Sequence, residues 1–218
     1  MKNKRPGLPQ IVEIVFDIAY LFFALASGIW LLAHAQGRGV VVLYGALTLT
    51  LGFGDSFHLV PRIYSQWTNT MAEHRKALGI GKAVTSVTMT AFYVMLYHVW
   101  QLCFGLVSVT AVVWLLAAAR IVLCLFPQNG WYSEKPPLSW AIIRNIPFAI
   151  LGGIIVVLFA RTGSAGGPFR LMPIAVTLSF VFYLIVVLFA DKNRKLGMFM
   201  LPKTCMYVWI ICMGFGLL

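Results

Sequence analysis

The sequence predicts an all-α integral membrane protein, a polytopic bundle of seven transmembrane helices, and three observations predict it. Of 218 residues, 61% are hydrophobic and only 11% are charged, where soluble domains run at roughly 45–50% and about 25%. Apolar blocks about 20 residues long, enough to cross roughly 30 Å of hydrocarbon, recur along nearly the whole chain. The basic residues fall between these blocks and are concentrated in alternate connections. One transmembrane domain over residues 1–218 follows, since no stretch remains for a soluble domain of ordinary size.

The first span covers residues 11–33, IVEIVFDIAYLFFALASGIWLLA. Lys2, Lys4 and Arg5 before it and Ala33-His34-Ala35 after it have the layout of a signal peptide. The apolar run exceeds the usual 7–15 residues and holds Asp17, so a retained span is expected. The second span, 39–59, ends in the unusually polar LGFGDSFHL. The third (82–104) and fourth (106–126) are joined by a tight link. The fifth (140–160) has Pro147 in its first turns, where the lost amide bond costs little. The sixth (171–190) is an uncharged run, and the seventh (201–218) is short. Pro202 suits a helix start, and six spans remain if this last one fails. Between spans two and three, YSQWTNTMAEHRKAL (64–78) is too polar to cross. It reads equally as a weakly amphipathic interfacial helix or as an ordered loop.

Orientation follows from counting. Lys2, Lys4, Arg5, Arg62, Arg75, Lys76, Lys82, Lys135, Lys192, Arg194, Lys195 and Lys203 flank one side of the membrane, and Arg38, Arg161 and Arg170 the other. The positive-inside rule then puts the N-terminus in the cytoplasm and, with seven spans, the C-terminus outside. The absence of extended hydrophilic tails favours a prokaryotic plasma membrane. The formal net charge of +11 is therefore read as topology signal facing anionic lipid, not as a nucleic-acid footprint. Cys103, Cys124, Cys205 and Cys212 all lie in apolar stretches and are read as packing residues.

Ionisable residues at membrane depth are costly and face a partner, the bundle interior or a water-filled cavity. Glu13 and Asp17 lie four apart on one face of the first span, a stripe continued by Tyr20, Ala24 and Ser27. Asp55, His58 and Arg62 share a face of the second. Arg120 lies about two turns before the inner end of the fourth, and Arg144 and Asn145 open the fifth. By topology these groups all fall in or near the inner leaflet and can converge on an inward-facing polar pocket. Gly52 and Gly54 beside Asp55 permit close helix approach or local unwinding.

Two readings follow. In one, Asp17 or Asp55 pairs with Arg120 or Arg144, and the pairs simply fix helix register. In the other, Asp55 and His58 form an acid–base pair, Asp17 is a second acid or an orienter, and Arg62, Arg120, Arg144 and Asn145 hold an anionic group. Neither metal nor other cofactor is expected, because His34, His74 and His98 stand away from His58. Ser86, Thr90, Tyr93, Tyr97 and Gln101 form a second polar stripe, on the third span, suited to interhelical hydrogen bonds or to the wall of a cleft.

Phe57-His58, after a small-residue segment, resembles the second-span motif of the seven-helix hydrolase superfamily that includes adiponectin receptors and alkaline ceramidases. That resemblance implies a zinc-binding histidine, but the family completes its site with a later histidine pair, and this chain has no histidine after His98. Gly54-Asp55 resembles the glycine-aspartate motif of membrane lysoplasmalogenases, whose catalytic residues are aspartates. Asp191 is the only late aspartate that could match a second one. Each likeness covers a few residues, and neither places the chain in a family.

Three function classes therefore stand. The first is an intramembrane, hydrolase-like enzyme acting on a lipid or small amphiphile, with membrane lipids as partners. The second is a transporter or proton-coupled permease. The third is a non-catalytic scaffold or signalling partner.

Overall fold

The computed structural model describes residues 7–105, 109–162, 167–189 and 193–218. Lys2, Lys4, Arg5, Asp191, Lys192 and the expected span limits at Leu106 and Ala190 lie outside the described residues. The chain forms an all-α, seven-helix bundle: α1 (Leu8–Ala33), α2 (Gly39–Thr68), α3 (Arg75–Phe104), α4 (Thr110–Leu125), α5 (Leu138–Thr162), α6 (Met172–Phe189) and α7 (Met200–Phe215). Six helical stretches are long and apolar enough to cross a membrane, as expected of a multi-pass membrane protein.

The pattern of burial is that of a chain solvated by lipid. On α1 the buried stripe includes Asp17, Tyr20, Ala24, Ser27 and Leu31. Val12, Val15, Ile18, Phe22 and Ile29 are exposed. Polar groups thus turn inward and aliphatic groups outward, the arrangement that hydrocarbon imposes once the backbone is satisfied within each helix.

Each helix packs on its neighbour in the chain, and α1 also meets α7, which closes a ring. Helix α3 touches α2, α4 and α5. Its buried Phe92, Tyr93, Leu96, Tyr97, Val99 and Trp100 supply much of the core. Three members of the predicted stripe on α3 bond to other helices: Tyr93 Oη lies 3.3 Å from Ser179 Oγ, Tyr97 Oη 2.8 Å from Thr110 Oγ1, and Gln101 Nε2 donates to Thr110 Oγ1 at 3.0 Å.

Element limits differ from the sequence expectation at the α2–α3 connection, where α3 also starts at Arg75 and not at Lys82, and in which helix is short. Helix α2 does not stop near Leu59 but runs to Thr68 through an internal Pro61. No separate interfacial helix forms over 64–78, because that segment is divided between the end of α2, a turn and the start of α3. The extension is held to α1: Arg62 pairs with Glu13, and Gln66 Nε2 donates to Glu13 Oε2 at 3.0 Å. Asn69 closes α2 in the left-handed region at φ 57°, a conformation asparagine tolerates better than most residues.

The second difference concerns which helix is short. A 3-10 run over Arg194–Phe199 leads into α7, so the apolar helical stretch over 196–215 reaches 20 residues. Helix α4 has 16 residues, about 24 Å at 1.5 Å per residue, and among the described residues is the apolar helical stretch below full span length.

Candidate functional site

The site begins where α2 and α3 come closest. A Cβ on Gly54 would stand 2.0 Å from Thr88 Oγ1, and one on Gly81 would stand 2.2 Å from the Phe57 carbonyl oxygen and 2.6 Å from His58 Cα. Both positions must therefore lack a side chain. Pro61 has no N–H to give the carbonyl four residues back, and that carbonyl belongs to Phe57. The acceptor freed by the proline is thus the one against which Gly81 packs. Thr85 Oγ1 adds a hydrogen bond to the Gly54 carbonyl at 3.0 Å. This seam holds the Asp55–His58 turn against α3.

Around that turn lie two adjoining compartments, with His58, Thr85, Met200 and Lys203 lining both. The smaller, about 50 Å³, is acidic: Glu13, Asp17 and Asp55 line it together with Arg62. Asp55 Oδ2 accepts from Tyr20 Oη at 2.7 Å. Asp17 is 5% exposed, and its Oδ2 has no hydrogen-bond partner among the described residues. Glu13 is committed to Arg62 and Gln66.

The larger compartment, about 240 Å³, is cationic. Lys82, Arg120, Arg144 and Lys203 line it, and no carboxylate does among the described residues. Arg120 is 2% exposed. Its Nη1 donates to Asn145 Oδ1 at 2.9 Å, and its guanidinium carbon lies 3.5 Å from the centre of the Phe148 ring. Asn145 Oδ1 also accepts from Tyr183 Oη at 3.0 Å, while Asn145 Nδ2 donates to the Ala141 carbonyl at 2.8 Å. The amide of Asn145 thus joins α4, α5 and α6.

Arg144 is placed by the connection between α4 and α5. Asn129 Nδ2 donates to the Leu123 carbonyl at 2.7 Å and to the Phe126 carbonyl at 2.8 Å, closing the end of α4, whose last carbonyls have no partner within the helix. Asn129 Oδ1 then accepts from Arg144 Nη1 at 2.9 Å, and the Trp131 ring lies 4.3 Å from the Arg144 guanidinium carbon. Arg144 Nε and His58 Nδ1 are buried without a hydrogen-bond partner among the described residues.

Seven residues were singled out from the sequence, and the structure sorts them between the two compartments. Asp17, Asp55, His58 and Arg62 line the acidic one; His58, Arg120 and Arg144 line the cationic one, with Asn145 behind Arg120. The pairing of Asp17 or Asp55 with Arg120 or Arg144 does not form. Among the described residues the ion pairs are Arg62–Glu13 and Arg75–Glu134. Nor does a hydrogen bond join Asp55 to His58 among these residues: the aspartate turns to Tyr20 on α1.

Lys203 is the site residue that sequence reasoning placed elsewhere, among the topology charges. The structure sets it in the first turns of α7, with Nζ 5.3 Å and 5.1 Å from the ring centres of Tyr183 and Tyr207. Its signal was available, since Pro202 before it starts a helix and the four residues after it, TCMY, are mostly apolar. Among the described residues no group of three His, Cys, Asp or Glu side chains is arranged to hold a metal ion. Comparison with protein-family models, curated proteins and solved structures finds no match to this chain.

Proposed function

We propose that this protein is an intramembrane enzyme, hydrolase-like, acting on a lipid or small amphiphile. In this reading Arg120 and Arg144 hold the anionic end of the substrate, with Asn145 fixing Arg120. Asp55 and His58 then act on the bond beside it. The single observation that carries the reading is the shared wall between an acidic and a cationic compartment, made by His58, Thr85, Met200 and Lys203. His58 Nδ1, without a hydrogen-bond partner among the described residues, is suited to take a proton from water as its oxygen bonds to the substrate. Asp55 in its acid form returns a proton to the departing alkoxide, so that ester and water give acid and alcohol. Asp17 supplies a second carboxyl behind Asp55, and Arg62 holds Glu13 rather than substrate.

The test is lipid turnover by the purified full-length protein in liposomes carrying labelled lipids of several headgroups. Asp55→Asn and His58→Ala should each lower the rate by about 10²–10⁴-fold, the size of a general acid or base contribution. Unchanged turnover in either variant removes that residue from the chemistry. No conversion of any lipid overturns the enzyme reading.

A proton-coupled transporter draws on a different observation, the buried Asp17 Oδ2, which has no hydrogen-bond partner among the described residues and lies one turn from Glu13. Carboxyls stepped along a helix at such depth are suited to relay protons. Uptake of an anionic solute into proteoliposomes that responds to an imposed pH gradient would favour it. Uptake that ignores the gradient removes proton coupling.

A further inference from the structure

The cationic compartment says what its ligand must be. Three of the four cations that line one cavity of about 240 Å³ arrive from three different helices: Arg120 from α4, Arg144 from α5 and Lys203 from α7. None of these three has an ion-pair partner among the described residues. Arg120 is satisfied by neutral groups, among them the Asn145 amide and the Phe148 ring, while Lys203 lies over the faces of Tyr183 and Tyr207 on the wall shared with the acidic compartment. Arg144 keeps one buried donor, Nε, with no acceptor among the described residues. Like charges gathered in a low-dielectric bundle repel one another, and a buried donor without an acceptor costs free energy. A bound anion with several acceptor oxygens removes both penalties together.

We propose that this compartment binds the terminal phosphate of a lipid phosphate monoester. The inference rests on the amphiphile reading above and names its substrate class. A phosphate monoester carries about −1.5 to −2 charges and three acceptor oxygens near neutral pH, which answers three converging cations better than the single charge of a carboxylate or a phosphodiester. A choline headgroup would bring a further cation to a wall that offers it no carboxylate among the described residues. The cavity lies below the roughly 300–1,000 Å³ typical of sites that enclose a whole drug-sized ligand, so it takes the headgroup, and the acyl chains remain outside. Val186, Val187 and Met200 give the alkyl end an apolar wall on the side of α6 and α7.

The probe is radiolabelled phosphatidate, bound to the purified full-length protein in micelles of a neutral detergent. Competitors are unlabelled phosphatidate, phosphatidylcholine and soluble glycerol phosphate. Phosphatidate should be retained and displaced by itself, but not by a tenfold excess of phosphatidylcholine, and only weakly by glycerol phosphate. Arg144→Gln and Lys203→Met should each weaken binding by about tenfold or more, the equivalent of one charge-assisted hydrogen bond. Lys203→Arg should retain binding, and so should Arg161→Gln at the far end of α5.

Equal retention of phosphatidate and phosphatidylcholine overturns the proposal, as does indifference to both neutral substitutions. Displacement by glycerol phosphate as effective as by phosphatidate overturns the lipid part of it. Phosphatidate binding without any conversion supports this site and fails the enzyme reading. Equal turnover of phosphatidylcholine, with no preference for the phosphate monoester, does the reverse.

Discussion

Arg120 shows at the scale of one residue what the bundle asks of a buried charge. It is held by an amide, an aromatic face and two weaker backbone contacts, at 3.5 Å to the Ser86 carbonyl and 3.5 Å to the Arg144 carbonyl. Replacing Asn145 by Leu would take away its short side-chain acceptor and strand the Tyr183 hydroxyl too. A hydrogen bond to a charged group is worth about 1.5–3 kcal/mol, so Asn145→Leu should lower stability by about 2–3 kcal/mol, read from reversible denaturation in mixed micelles. A loss below about 0.5 kcal/mol would show that the amide does not hold the arginine. The sequence made Arg120 and Asn145 conspicuous because polar groups at membrane depth are rare. It did not disclose their pairing, because opposite charge suggested Asp17 or Asp55 as partners. Those carboxylates lie across the His58 and Lys203 wall, and helix spacing alone cannot say which faces of α1, α2, α4 and α5 meet.

Between elements, the decisive quantity is how closely two backbones approach. At Gly81 the atoms that a Cβ would strike belong to the α2 main chain, which cannot swing aside as a flexible side chain can. Gly81→Ala should therefore part α2 from α3, costing about 1–3 kcal/mol as overpacking does, and should move His58 away from Thr85. Gly153 on α5 is the contrast, since a Cβ there meets nothing within 4 Å. Gly153→Ala should stabilise by about 0.5–1 kcal/mol through helix propensity alone. Parallel unfolding measurements on the two variants, with opposite signs expected, test the assignment of the seam. Gly54 beside Asp55 was legible as a place of close helix approach or local unwinding, while Gly81 across the seam was not, since nothing in GIGK marks it as facing Phe57. The extension of α2 to Thr68 was missed for a related reason. Pro61 reads locally as a helix end, but the ion pair from Arg62 to Glu13 and the bond from Gln66 carry the helix on.

For the whole molecule, the question is which side of the membrane the two compartments face, and the distribution of charge makes a prediction. The connection from Pro127 to Leu138, with Trp131 over Arg144, lies at the same end of the bundle as the α2–α3 turn, joined to it by the Arg75–Glu134 pair. Arg38 lies between α1 and α2, and Arg161 ends α5, so both mark the opposite end. Because basic residues stay on the cytoplasmic side, the end holding Arg62, Arg75, Lys76, Lys82 and Lys135 should be inside and the site should draw on the inner leaflet. Single cysteines at Ser133 and at Arg161, placed in a chain whose own four cysteines are replaced, allow a direct test with a membrane-impermeant maleimide. The cysteine at 161 should label in intact cells, and the one at 133 only after the membrane is opened. The reverse pattern would turn the bundle over and place both compartments toward the outer leaflet. Their chemistry would stay the same, but the pool of lipid able to reach Arg144 and Lys203 would change, because a phosphate headgroup enters from the leaflet in which it already lies.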